Sequence, residues 1–375
     1  LNYGTIELKG DLNDYCCSAD YFTYSDSYGL YSNGTKFIFS GSGKQTITAA
    51  DEYIHFENVE FANKDTTGSI EFNNTTISCH IEKDETVTGN LDISSMDLKG
   101  HKLTVNGNLK LWSRLSLNGG ELYITGNYDA YIPVKNDNGT TSYTGGWLYM
   151  NNINEKVTVE GDFNTYHNYY NSTVSSRILN YGTIELKGDL NDYCCSDDYS
   201  TYSDSYGLYS NGTKFIFSGS GKQIISATDG YIYLEKVDFV DTKNRELVVN
   251  CDINVELCRD TYITGNNATL RGNLNGFTLN VSKDLKVNGN LYIQAGCLNV
   301  KGDLYNYGEV NLGGGSIIIN GNYNAYKLTT NKDGTIKYSS GGCLYMDNAN
   351  DKATVEGDFN TYNNYYNSTV SSRIL

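Results

Sequence analysis

The chain has 375 residues, among them 39 Gly, 34 Tyr and a single Pro, and its 28 Lys+Arg against 44 Asp+Glu give a formal net charge of -16. So acidic a surface lacks the clustered cations that bind phosphate, which excludes nucleic acid and anionic membrane as expected partners. Hydrophobic residues make up only 39% of the chain and no window approaches the ~18 uninterrupted apolar residues of a membrane span, and a leader for secretion, if there is one, is expected outside the sequence that starts at Leu1.

Read from the start, LNYGTIELKGDLNDYCCS at 1–18 returns unchanged at 179–196. YSDSYGLYSNGTKFIFSGSGKQ at 24–45 returns at 202–223, VEGDFNTY at 159–166 returns at 355–362, and NSTVSSRIL closes both copies at 171–179 and 367–375. The chain is therefore a tandem duplication, with units 1–178 and 179–375 expected to share one continuous rod, and Leu375 stands where a further LNYG would begin.

A shorter period lies inside each unit. It reads LTVNGNL at 103–109, LYITGNY at 122–128, LNVKGDL at 298–304 and IIINGNY at 317–323. Gly89, Gly107 and Gly126 are 18 and 19 residues apart, and Gly265, Lys283, Gly302 and Gly321 are 18, 19 and 19 apart. The second unit thus carries one extra period, about residues 284–302. A whole period inserted without disturbing its neighbours reads as a stacking rung.

Within a rung, Val310 with Leu312 and Ile317 with Ile319 form alternating pairs on either side of three glycines, the pattern of short strands with one face inward. Strands this short at a fixed period stack like on like as parallel sheets. The predicted fold is all-β, a right-handed parallel β-helix (β-solenoid) with rungs of about 19 residues, the hand resting on the usual right-handed crossover. The stretches 135–146 and 331–342 exceed a rung and read as loop or hairpin excursions. The GN or GD corner and the xLxVxGN strand resemble the filamentous-haemagglutinin-type surface adhesins. That resemblance implies a secreted or cell-surface rod.

The corners are Gly107-Asn108, Gly126-Asn127, Gly302-Asp303 and Gly321-Asn322. Asp and Asn alternate there, and both tolerate left-handed backbone and hydrogen-bond in turns, so the acids read as corner residues rather than as catalytic carboxylates. Glu160 with Asp162 and Glu356 with Asp358 are the remaining acid pairs. The four histidines, His55, His80, His101 and His167, align with Tyr233, Asp252, Phe277 and Asn363, so no imidazole is shared between the copies and a duplicated His-dependent site is excluded. The nine cysteines lack paired zinc spacing and read as mostly buried thiols.

Tyrosine is the most unusual feature. Tyr21, Tyr24, Tyr28 and Tyr31, matched by Tyr199, Tyr202, Tyr206 and Tyr209, sit in a Ser/Asp/Gly-rich segment where they cover the solenoid flank or stack on surface glycans. Asp14, Asp20 and Asp26 in the same segment are candidate calcium ligands, and no other cofactor is expected. These readings point to a non-enzymatic extracellular structural or adhesive solenoid that associates with itself head to tail. A carbohydrate-binding module is the alternative, and a β-helix polysaccharide lyase or hydrolase the remote one.

Overall fold

The computed structural model describes residues 1–16, 29–62, 70–73, 75–136, 139–166, 179–194, 208–228, 230–264, 268–331 and 334–362. No helix occurs among them, and nearly all strand pairing is parallel. The chain divides into two compact units, Leu1–Thr213 and Lys214–Leu375. The first therefore contains the whole first sequence copy and the opening rung of the second.

In the first unit one ladder runs through Glu85–Thr88, Lys102–Asn106, Glu121–Ile124, Lys156–Val159 and Thr183–Leu186. Its register aligns Val87, Val105, Ile124, Val159 and Leu186 in one column, each at most 1% exposed. A second ladder aligns Leu91, Leu109, Tyr128, Phe163 and Leu190, all fully buried. The period-2 alternation of apolar residues causes this: in a parallel, in-register stack the inward residue of each rung lands on the inward residue of the next. At the start of the unit, Thr5–Leu8, Lys36–Phe39 and Tyr53–Phe61 stack in the same way, with Leu8, Phe39 and Phe61 in one column.

The second unit is layered likewise. Thr261–Ile263, Thr278–Val281, Cys297–Val300, Ser316–Ile319 and Lys352–Val355 form one ladder. Ala268–Asn273, Leu285–Tyr292, Leu304–Asn306, Tyr323–Thr330 and Phe359–Thr361 form another. Residues 284–302 supply Leu285–Tyr292 and Cys297–Val300, each paired on both sides. The excursions are antiparallel hairpins, Ile132–Lys135 with Thr141–Thr144 and Tyr323–Thr330 with Ile336–Ser340.

The rungs bend at the corners read from the sequence, Gly107-Asn108 between Lys102–Asn106 and Leu109–Ser116 among them, but a second set of turns carries the left-handed backbone. Tight turns fall at Lys99-Gly100, Asn118-Gly119, Asn275-Gly276, Gln294-Ala295 and Gly313-Gly314, where both residues have positive φ. The amides of His101, Gly120, Phe277, Gly296 and Gly315 close them by donating to the carbonyls of Leu98, Leu117, Leu274, Ile293 and Leu312. Positive φ at both central positions is the type I′ pattern. By contrast, the corner residues Gly107, Gly126, Gly302 and Gly321, and the Asn or Asp after each, are not left-handed. Gly is required there by crowding: a Cβ on Gly126 would run into the Gly107 carbonyl and Asn108 Oδ1 of the rung beneath.

Candidate functional site

The junction between the two sequence copies is a site that the repeat builds from its own residues. The last rung of the first copy, Lys156–Val159 and Phe163–Thr165, receives the first rung of the second, Thr183–Leu186 and Leu190–Asp192, in unbroken parallel register. Val157 meets Ile184, Val159 meets Leu186, and Phe163 meets Leu190 while stacking on Tyr128 at 4.4 Å. Lys187 N donates to Val159 O at 2.9 Å, Phe163 N to Asp189 O at 2.8 Å, and Tyr193 N to Thr165 O at 2.8 Å.

Side chains lock the same junction. Lys187 Nζ lies 2.6 Å from Glu160 Oε1, which also accepts from Tyr123 OH at 2.8 Å. The Lys187 hydrogen bond holds the Glu160 carboxyl below the usual carboxylate range. Asn191 Nδ2 donates to Asn164 Oδ1 at 3.0 Å. Tyr193 stacks on Tyr131 at 4.0 Å, and Tyr131 in turn on Tyr143 at 4.8 Å, with Tyr166 beside them.

The corner acids and amides take part in the stacking itself. Asn108 N donates to Asn90 Oδ1, Asn127 N to Asn108 Oδ1, Asp162 N to Asn127 Oδ1 and Asp189 N to Asp162 Oδ1, each at 2.8–2.9 Å. In the second unit Asp303 N donates to Asp284 Oδ1, Asn322 N to Asp303 Oδ1 and Asp358 N to Asn322 Oδ1. Each corner needs one carbonyl-type oxygen, which Asn and Asp both supply. That, rather than left-handed backbone, is why the two interchange.

A second feature is an outer groove in the first unit, lined by His55, Glu57, His80, Asp97, Lys99 and Arg114. It follows the line where successive strands carry irregularities, between His55 and Asn58, Ile77 and Ser78, and Leu111 and Arg114. Tyr31 stacks on His55 at 4.3 Å, and burial pushes the His55 and His80 imidazoles toward the neutral form. The second unit has a groove on its own bulged strands, lined by Tyr231, Tyr233, Asn254, Glu256, Arg271 and Tyr292. Strand register also revises one alignment. Asp252 sits opposite Tyr231 as Thr76 sits opposite Tyr53, so the place of His80, opposite Asn58, falls near Glu256 instead.

Of the tyrosines singled out in the sequence, Tyr31 is 47% exposed and Tyr209 is half-buried in Tyr209–Phe217. Tyr21, Tyr24, Tyr28, Tyr199, Tyr202 and Tyr206 lie outside the described residues, as do Asp20 and Asp26. Asp14 uses both carboxylate oxygens on backbone, accepting from Cys16 N at 3.1 Å and Leu30 N at 2.5 Å. Asp192 repeats this clamp on Cys194 N and Leu208 N. Cys79 is buried and its thiol pushed far up by desolvation, whereas Cys258 is exposed. Tyr131 and Tyr143 meet across the hairpin of Ile132–Lys135 and Thr141–Thr144, and Tyr193 joins them from the second copy, a contact that no local pattern in the sequence encodes.

No protein-family model matches the chain, and neither the curated proteins nor the solved structures contain a match to it.

Proposed function

We propose that the chain is a segment of an extracellular, non-enzymatic structural and adhesive protein, a right-handed parallel β-helix whose copies stack to set length and to repeat a surface. The supporting observation is the junction at residues 156–193. There the second copy continues the first with the ladder register, buried columns and corner hydrogen bonds that join rungs inside a copy. In such an array each added unit brings its own core and one more nearest-neighbour interface. Inserting a further copy of residues 1–178 ahead of Leu179 tests this. The maximum dimension from small-angle scattering should grow by a fixed increment per copy, with the urea m-value rising alongside. Scattering from flexibly joined, independent bodies would refute the reading.

A second reading, a carbohydrate-binding surface, is favoured by Tyr143, which is 44% exposed and lies on the half-buried Tyr131, itself stacked on Tyr193, since an exposed ring can lie against a sugar face. Tyr143→Ala should then lower glycan retention with no change in melting temperature, and unchanged retention would remove it. A lyase or hydrolase reading would draw on the groove that holds His55, Glu57, His80 and Asp97.

A further inference from the structure

The bulged strands of the two units carry a groove at the same place in the repeat, and its lining differs between them. In the first unit His55 pairs with Ser78, Ser78 with Ser95 and Ser95 with Arg114, while His80 pairs with Asp97 and Asp97 with Ser116. In the second, Tyr233 pairs with Asn254 and Asn254 with Arg271, while Glu256 pairs with Asn273 and Asn273 with Tyr292. Tyr233 therefore stands where His55 does, Glu256 where His80 does and Tyr292 where Ser116 does. We infer that the groove of the second unit binds a neutral oligosaccharide, with Tyr233 and Tyr292 as its aromatic contacts and Asn254, Glu256, Arg271 and Gln294 as its hydrogen-bonding groups.

The polar groups are available and the cation is fixed. The side chains of Asn254, Glu256 and Gln294 line the groove and have no hydrogen-bond partner among the described residues. Two amides, which donate and accept, and one carboxylate, which accepts, match a ligand covered in hydroxyl groups that do both. Arg271 lies with its guanidinium 4.1 Å from the Tyr231 ring, and its Nη2 is 3.5 Å from Asp252 Oδ2, which also accepts from Asn288 Nδ2 at 3.1 Å. Gly289 leaves room for it, since a Cβ there would press on Arg271 Cδ. Tyr292 is 39% exposed, and its hydroxyl accepts from Asn290 Nδ2 at 3.1 Å.

Charge and backbone pairing select the ligand class. The groove's charged residues are Arg271, already paired with Asp252, and Glu256, so in a chain of net charge -16 an acidic glycan is repelled. A peptide strand fits no better. Asp252–Leu257 and Ala268–Asn273 are paired on both sides, which leaves no edge for strand addition, and no aliphatic side chain lines the groove to seat an apolar anchor. The volume is about 640 Å³, which lies within the ~300–1,000 Å³ of small-molecule sites. This extends the glycan reading above to a different place and does not rest on the Tyr131–Tyr143 surface.

The test is a printed array of neutral and uronate-bearing oligosaccharides probed with the labelled full chain, followed by isothermal titration calorimetry with the neutral oligosaccharide that gives the strongest signal. The wild-type chain should retain neutral glycans and leave their uronate counterparts unbound. Glu256→His, which copies the first unit's lining, should weaken binding about tenfold or more. Tyr292→Ala should weaken it about tenfold and Tyr233→His about threefold. Melting temperatures should stay at the wild-type value, which separates lost contacts from lost folding. A blank array, a preference for uronates, or groove variants that bind like the wild type would each overturn the inference. If Tyr143→Ala abolishes retention while the three groove variants keep it, the sugar sits on the first unit; this inference then fails and the earlier reading stands. The reverse pattern assigns the sugar to the groove.

Discussion

The rung formed by Thr5–Leu8 and Leu12–Asp14 and the rung formed by Thr183–Leu186 and Leu190–Asp192 are made of the same residues, yet Ile6, Leu8 and Leu12 are half-buried where Ile184, Leu186 and Leu190 are buried. Across residues 1–16 and 179–194 every position is deeper in the second setting, Tyr3 included, which falls from 91% to 52% exposed as Tyr181. Phe163 and Phe359 show the same contrast at the closing rung. Alternation decides which residues face inward; the presence of a neighbouring rung decides how completely they leave water. Stability in such a stack is held largely in the interfaces between rungs.

The largest expected effect comes from forcing charge into the two settings. Leu190→Asp should cost about 4 kcal/mol or more, combining a lost core side chain with a buried carboxylate, whereas Leu12→Asp should cost about 1 kcal/mol. Urea unfolding of the two variants checks this, and equal losses would break the comparison.

A second pair of equivalent positions sharpens it. Glu85 opposite Leu103 and Thr261 opposite Leu279 occupy the same place in the two units, and both are buried. Burial pushes the Glu85 carboxyl up to about 7, against a hydrogen bond from Phe61 N. A carboxyl raised in the folded state favours the protonated form there, so stability is full below the ordinary carboxylate range and falls as pH rises toward 7. The loss is on the order of 3 kcal/mol at about 1.4 kcal/mol per pH unit. Glu85→Thr should flatten that part of the stability–pH curve, and a slope that persists would assign it to other groups.

Smaller effects follow at the surface. Lys187→Met should release the depressed Glu160 carboxyl and cost at most ~1 kcal/mol at neutral pH, an advantage that fades in any case as pH falls below the usual carboxylate range. Lys9→Met, the same residue of the repeat, should leave the monomer's stability unchanged. NMR titration of Glu160 in the first variant and thermal melts of dilute protein in both distinguish the two. Ala295, at φ 63 where equivalent turns carry Gly, should gain up to ~1 kcal/mol on replacement by Gly, read as a rise in melting temperature.

Much of the fold is legible in the sequence because the signals are periodic. The alternation in LTVNGNL and LYITGNY becomes the strands Lys102–Asn106 and Glu121–Ile124, and the excess residues of each unit become hairpins. The turns are legible too, in the Asn-Gly pairs Asn118-Gly119 and Asn275-Gly276, whose positive φ the corners at Gly107-Asn108, Gly126-Asn127 and Gly321-Asn322 lack. Burial of Glu85 could have been read from its parity with Val87 in the same strand. The alignment of His80 with Asp252 is open to correction from the sequence, because the offset of 176 that carries Gly89 to Gly265 and His101 to Phe277 carries His80 to Glu256. The outer groove and the tyrosine stack depend on residues from several rungs, and no local pattern encodes them.

The column of corner residues has a consequence for chemical ageing. At Asn108, Asn127 and Asn322 the oxygen Oδ1 accepts an amide from the next rung. Hydrolysis of the side-chain amide to Asp keeps that acceptor and adds a negative charge, which is what Asp162 and Asp303 already present at the same place. At Asn108 and Asn127 deamidation by direct hydrolysis is therefore silent to the stack while it changes the electrophoretic mobility of the molecule, whereas at Asn322 it also removes the Nδ2 hydrogen bond to Asp303 Oδ2. Such a protein can grow more acidic over its lifetime without losing a rung.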